Sequence, residues 1–288
     1  MPQSVWTPPA PVLGNQNCLL TARSRKHSVE NFPGPLSIKT VLRGRVAWKT
    51  DHRQTWVDDS CFLVLNDGEP YSMEIDEEEP VSTCCVFFQT GFVERVRANL
   101  TEAAGPALDE PDGRGEGVHF LSRLHMKSAT LEAAMKSLQR LTQDAQPPIA
   151  LDEAYLSLAT ELLLLYEETQ RQMRRISAAR AGTRKELFQR VARGREFLHA
   201  RADEGVTLAE VARASCLSPF HFHRSFREAF GVSPSRYVTG LRMERAKRLI
   251  MSGMPVTEAS QSVGFESLGS FSASFRRRFG TPPSTYFR

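Results

Sequence analysis

No stretch of this 288-residue chain is apolar over enough residues to cross a bilayer. The longest notable apolar run, 162–166, falls far short of the roughly 20 residues a spanning helix needs. The N-terminal MPQSVWTPPAPV lacks a basic segment followed by an apolar one, so no secretion signal is expected. Cysteine is scarce. Cys18, Cys61, Cys84, Cys85 and Cys216 are odd in number and show no C-x-x-C spacing. That argues against a disulfide framework or structural zinc and fits a reducing, cytoplasmic setting. A redox pair at Cys84-Cys85 is disfavoured, because neighbours in a strand point to opposite faces. Histidines do not cluster: His27, His52, His119 and His125 stand apart and read as surface or hydrogen-bonded residues rather than ligands. No Ser/His/Asp or Cys/His arrangement carries a local signature. The glycine-rich GRGEG at 113–117 neither follows a strand nor opens a helix, so it reads as a loop and not as a phosphate cradle. No cofactor or metal is expected, and nothing argues for an enzyme.

What the chain has is a charge split. Residues 183–288 hold 18 Lys+Arg against 9 Asp+Glu, a net of +9, whereas 1–182 hold 19 against 24, a net of −5. The whole-chain value of +4 hides this. A basic C-terminal segment fits phosphate contact, although an Arg-rich solvated surface would look the same.

The chain also has an internal repeat. Residues 218–238 shifted by 49 positions fall on 267–287, with ten of 21 positions identical. Phe222, Phe226 and Phe230 stand at i, i+4, i+8, as do Phe271, Phe275 and Phe279. Such spacing keeps each trio on one helix face, where it reads as core. Gly231 and Gly280 stand where a left-handed C-cap is wanted, and Pro234 and Pro283 block continuation. The opposite face of the first helix carries Phe220, His223, Arg224 and Arg227. A short helix precedes each copy. In the first, Thr207 is the expected N-cap with Glu210 as capping-box partner, and Ser218-Pro219 opens the next helix. Two copies are too few for a solenoid. Helix, short turn, helix with a polar outer face is the helix-turn-helix pattern, here expected at about 207–230 and 256–279.

At this point the sequence resembles the DNA-binding domain of the AraC/XylS family of bacterial transcription regulators. The resemblance covers 207–288. Its clearest carriers are Gly264-Phe265-Glu266-Ser267, Ser270-Phe271 and Phe275-Arg-Arg-Arg-Phe-Gly-Thr-Pro-Pro283. It implies two recognition helices in successive major grooves of promoter DNA. By position, Phe220, His223 and Arg224 correspond to base readers on the first helix. On the second, the equivalent outer face carries Gly269, Ser272, Ala273 and Arg276, which leaves Leu268, Ser270 and Ser272 for base edges. Arg227, Arg236, Arg276 and Arg277 are the phosphate candidates. The resemblance also implies RNA polymerase as a partner and a cytoplasmic, DNA-associated protein.

The first hundred residues read as β, with short apolar runs at 36–42, 46–49, 61–65, 71–75 and 81–89 separated by turn signals such as Asn66-Asp67-Gly68. A barrel or sandwich is expected. The family resemblance implies a cupin-like barrel used for regulation, though the cupin metal pattern is absent. The acidic run 74–79 reads as a solvated loop. Helices are expected at 128–143, 151–180 and 184–200. Leu151, Tyr155, Leu158, Leu162 and Leu165 are spaced 4-3-4-3, the rhythm of helix pairing between chains and equally of packing against the helix's own domain. A homodimer through this stripe is expected. The whole is an α+β two-domain chain. Residues 1–177 form a regulatory domain, 178–183 a linker, and 184–288 an all-α DNA-binding domain. The reading is a DNA-binding regulator controlled by a small effector or a partner at the N-terminal domain. Two alternatives stay open: an effector-free regulator whose N-domain only dimerises or binds protein, and a β-domain enzyme with an appended DNA module.

Overall fold

The computed structural model describes residues 13–50, 53–103, 117–121, 123–144, 147–178 and 180–286. His52, residues 113–116 of the glycine-rich segment and Phe287 of the second repeat lie outside the described residues. The chain divides into two compact units, Met1–Gln170 and Arg171–Arg288. Among the described residues no helix is long and apolar enough to cross a membrane.

Among the described residues, the first unit is built on seven antiparallel strands: β1 (Cys18–Pro33), β2 (Ser37–Arg43), β3 (Val46–Thr50), β4 (Arg53–Val57), β5 (Cys61–Leu65), β6 (Pro70–Phe87) and β7 (Leu124–Met126). Their order is β4-β3-β6-β2-β5-β7, with β1 along the other side of β6. The sheet curls into a nearly closed barrel. β6 is its spine, since it pairs with β1, β2 and β3. Gly44 (φ 88°) and Gly68 (φ 73°) take the left-handed conformation that the β2–β3 and β5–β6 turns require.

Each strand sorts its residues to two faces with period 2. Val41, Trp48, Val57, Leu63, Tyr71 and Ile75 fill the inside of the curl. Ile38, Phe62, Val64, Cys84 and Val86 point outward. There they meet α1 (Phe92–Ala103), α2 (Ala129–Gln143) and α3 (Pro148–Arg174). Because both faces are covered, all five residues of β5 are buried. The two adjacent cysteines follow the same alternation: Cys84 belongs to the outer cluster and Cys85 packs on the inner one.

Three expectations need correction here. The acidic run 74–79 is not a loop: β6 continues through it, with a register shift against β1 between Asp76 and Val81, Ile75 turned inward and all five acids exposed. The expected helix 151–180 begins earlier, with Pro148 in its first turn, and stops at Arg174. Third, the 4-3-4-3 stripe is not a seam between chains. Tyr155, Leu158 and Leu162 are buried in the outer cluster of their own unit, and Leu151 and Leu165 pack partly buried against it. An apolar stripe is satisfied by whatever apolar surface reaches it first, and here that surface is the back of the sheet.

The second unit is all helix: α4 (Ala181–Ala200), α5 (Leu208–Ala214), α6 (Pro219–Phe230), α7 (Pro234–Met251), α8 (Val256–Ser262), α9 (Leu268–Phe279) and a 3-10 turn at Pro283–Tyr286. α4 starts three residues before its expected position, so the last residues assigned to the linker are its first turn. The repeat seen in sequence is repeated in packing. Phe226 meets Tyr237 with ring centroids 5.7 Å apart, and Phe275 meets Tyr286 at 5.6 Å. The last Phe of each ladder is covered by a cation from the helix ahead of its unit: Arg195 of α4 lies 4.7 Å from the Phe230 ring, and Lys247 of α7 lies 4.8 Å from Phe279. α4 therefore serves the first helix-turn-helix as α7 serves the second.

Candidate nucleic-acid interface

The local chemistry that sets the two outer helices is short-range. Thr207 Oγ1 accepts from the Glu210 N–H while the Glu210 carboxylate accepts from the Thr207 N–H, a complete capping box on α5. Hydrogen bonds from the Thr207 N–H and hydroxyl hold the Glu210 carboxyl below its usual range. Ser218 caps α6 by accepting from the His221 N–H, with Pro219 in the first turn. Ser267 does the same for α9 by accepting from the Ser270 N–H. Gly231 (φ 72°) and Gly280 (φ 78°) close both helices in the left-handed conformation.

With the phenylalanine ladders turned inward, the opposite faces are left to solvent. Phe222 and Phe226 are fully buried, as are Phe271 and Phe275. On α6, His223, Arg224 and Arg227 are exposed, and Phe220 is 77% exposed, a large apolar side chain standing in water at the helix N-terminus. On α9, Leu268 and Ser270 are exposed and Ser272 is half-buried. Ser270 is partly engaged, since its Oγ accepts from the Ser267 hydroxyl at 2.9 Å. Arg236 stands exposed in the first turn of α7, and Arg276 and Arg277 stand exposed at the end of α9. Among the described residues, Arg227, Arg236, Arg276 and Arg277 make no ion pair.

Arg224 is different, in a way the sequence did not disclose. Its Nε donates to Glu228 Oε1 at 2.9 Å, one turn on. Glu228 Oε2 also accepts from the Ser177 N–H at 3.0 Å. Partial burial raises the Glu228 carboxyl, but the Ser177 N–H and the Arg224 guanidinium outweigh it and the net shift is downward. Glu228 is therefore an anion placed one turn behind the residue best suited to guanine, tied to the segment that precedes α4. The i, i+4 spacing alone offered the signal.

Two features fix how the pieces sit. Gly194 of α4 approaches the first helix-turn-helix so closely that a Cβ there would lie 2.2 Å from Phe222 and 2.3 Å from Ser215 Oγ. On α7, Arg242 donates to the carbonyls of Glu204 (3.0 Å) and Gly264 (3.4 Å), which joins the turn ahead of the first motif to the turn inside the second. Arg245 of α7 pairs with Asp203, and Glu244 with Arg278 at 3.0 Å. The rise of ~1.5 Å per residue makes α7 about 27 Å long, a spacer compatible with grooves one turn, ~34 Å, apart.

Elsewhere, the structure separates the histidines: His27 lies on β1, His119 is exposed, and His125 is buried against the Phe62 ring at 5.4 Å.

Comparison with known proteins agrees with this arrangement. The family model described as a helix-turn-helix domain matches residues 211–288. The HTH-type transcriptional regulator YobQ of Bacillus subtilis (strain 168) is 32% identical over 91 residues, which cover 31% of this chain and 38% of YobQ. The thermoregulatory protein LcrF of Yersinia pestis is 24% identical over 246 residues, 85% of this chain and 86% of LcrF. A probable AraC family transcriptional regulator from Rhodopseudomonas palustris CGA009 aligns with 34% of this chain and 93% of its own, at 27% identity and a TM-score of 0.33.

Proposed function

We propose that this chain is a transcription regulator of the AraC/XylS type, a two-groove DNA reader governed by a small effector in its N-terminal barrel; the match of residues 211–288 to a helix-turn-helix domain supports the reading. One observation supports the reading most. Two helices with matching caps and matching buried ladders turn polar, arginine-bearing faces to solvent on a segment, residues 183–288, of net charge +9. On α6, Phe220, His223 and Arg224 read base edges. Arg224 is suited to guanine O6 and N7, and must exchange Glu228 for the base when it does so. On α9 only Leu268, Ser270 and Ser272 are offered to bases, so that unit contributes less sequence information. Arg227, Arg236, Arg276 and Arg277 hold phosphates and fix register. RNA polymerase contact and self-association belong to the same reading, with the self-association surface lying outside the buried α3 stripe.

The test is DNA binding by residues 171–288 as a function of salt. Neutralising about six phosphates gives a log–log slope of roughly −5. A folded fragment with no measurable affinity at 50 mM salt overturns the reading.

A further inference from the structure

Among the described residues, the inside of the barrel holds a charged side chain that no carboxylate balances. Lys39 lies on β2, in register with Cys85 on β6 and Leu63 on β5. It is 1% exposed and faces the interior, with its Nζ 3.8 Å from the Phe87 ring centroid and 4.2 Å from that of Tyr71. Its Nζ donates a hydrogen bond to Tyr71 Oη at 3.0 Å. The titratable groups facing it from the adjoining strands are Tyr71, Cys18 and Cys85, which are neutral at pH 7 because burial pushes all three upward. Among the described residues no carboxylate meets it. Burying an ammonium without an anion is costly, and proteins leave such a charge in place mainly where something else balances it.

A second observation lies one step along the same strand face. Ser37 is in register with Phe87 and Leu65 and is fully buried, yet its Oγ has no hydrogen-bond partner. A hydroxyl and an ammonium two residues apart on one strand point the same way. The surrounding interior is apolar: Val41, Leu63 and Leu65 belong to the inner cluster. A cleft of about 360 Å³, lined by Phe32, Asp67 and Thr90 among others, opens against Phe32 rather than against Lys39 itself. Phe32 packs edge-on against Tyr71 at 5.8 Å, so one aromatic pair joins the cleft to the tyrosine that holds Lys39.

We propose that Ser37, Lys39 and Tyr71 form an anion subsite inside the barrel, and that the effector is a small molecule with one carboxylate and an apolar body. The proposal rests on the reading of the N-terminal domain as an effector sensor and names the class of effector. A carboxylate supplies one negative charge for one ammonium and accepts from both Ser37 and Tyr71 hydroxyls, in bonds strengthened by the charges. A phosphate dianion would leave a charge unbalanced among apolar walls, with Asp67 repelling it at the cleft. Burial lowers Lys39 to about 8, and Cys85 and Cys18 pull it partly back, so the ammonium form prevails at pH 7 and its hold on an anion is lost as pH rises past that value.

The experiment uses the full chain with hexanoate and benzoate as probes, against 1-hexanol, benzyl alcohol and inorganic phosphate. Melting temperature and calorimetric affinity are read for wild type, Lys39→Met and Ser37→Ala. Wild type gains melting temperature with at least one carboxylate and not with the matched alcohol or with phosphate. Lys39→Met weakens that carboxylate by ~tenfold or more, equivalent to at least 1.4 kcal/mol. Without ligand, Lys39→Met melts no lower than wild type, because it removes an unbalanced charge; a structural lysine would give the opposite. Should Lys39→Met fail to fold, Ser37→Ala and a loss of wild-type affinity between pH 7 and pH 9.5 carry the test. The proposal is overturned if neither carboxylate binds wild type, if the alcohols bind equally well, or if Lys39→Met binds like wild type. Operator affinity measured with and without the bound carboxylate separates the two layers. Binding with no change in operator affinity refutes effector control and leaves the anion site standing.

Discussion

Replacing Gly194 by Ala sets two effects of opposite sign against each other. Gly194 lies inside α4, exposed to the usual penalty of glycine in a helix, so propensity alone makes Gly194→Ala stabilising by about 1 kcal/mol. The packing says otherwise. The new Cβ would stand 2.2 Å from Phe222 Cε2, 2.7 Å from its Cζ and 2.3 Å from Ser215 Oγ. Phe222 and Ser215 are both fully buried, so neither can swing into solvent. Carbon atoms prefer ~3.5–4.0 Å, so α4 or α6 must shift by more than 1 Å. Overpacking of this kind costs about 1–3 kcal/mol, occasionally more. With contacts this short the cost falls toward the upper end of that range, so packing wins, with a net loss of up to about 2 kcal/mol once the helical gain is subtracted. The shift also falls on the recognition helix, because Phe222 is the inward anchor of α6. Urea unfolding of the C-terminal unit and operator binding should both weaken. A variant that is more stable by about 1 kcal/mol and binds DNA normally would show that α4 does not brace the reader.

Leu158→Glu buries a carboxylate in the outer core of the barrel unit. It should unfold that unit by circular dichroism while the C-terminal unit still binds DNA; a folded variant that merely loses self-association would restore the seam between chains. Glu228→Gln frees Arg224 from its ion pair and should tighten binding to all DNA sequences at low salt, with gel-shift titration as the readout; unchanged affinity would mean the pair is broken at no cost. Arg276→Ala or Arg277→Ala should weaken every sequence alike and flatten the salt slope by about one, and a change in sequence preference would reassign these residues to bases.

How much of this was legible depended on range. The phenylalanine ladders, both glycine caps, the Thr207–Glu210 box and the Ser218-Pro219 start are set by neighbours within four residues, and the structure reproduces each. The barrel was legible only in part. β1 escaped because its inward positions are only half-buried and its outward ones carry Thr21, Arg23 and Arg25, so no apolar run marks it. β6 reads as two runs because its five acidic residues look like a loop; four of them, 76–79, are consecutive and exposed and lie where the pairing with β1 shifts register. The α3 stripe stays ambiguous in sequence because packing on a sheet and pairing with a second helix ask for the same spacing. Lys39 is hidden in sequence for a related reason. In Ser37-Ile-Lys-Thr-Val41, alternation marks Ser37 and Lys39 as the solvent side, and only closure of the barrel turns that side inward. Glu228 was visible at i+4 from Arg224, but its hydrogen bond to Ser177 was not, since that contact spans 51 residues.

The most direct test of the central claim is selection of binding sites from random DNA by the full-length protein and by Arg224→Ala. Two half-sites about one helical turn, ~10 bp, apart are expected, with the sharper preference under α6 and a guanine at its most constrained position. Arg224→Ala should cost about 1–3 kcal/mol on the selected site and relax that one position. Equal information in both half-sites, or the sharper one under α9, would contradict the assignment of readers, and recovery of no preferred sequence would contradict sequence-specific regulation itself.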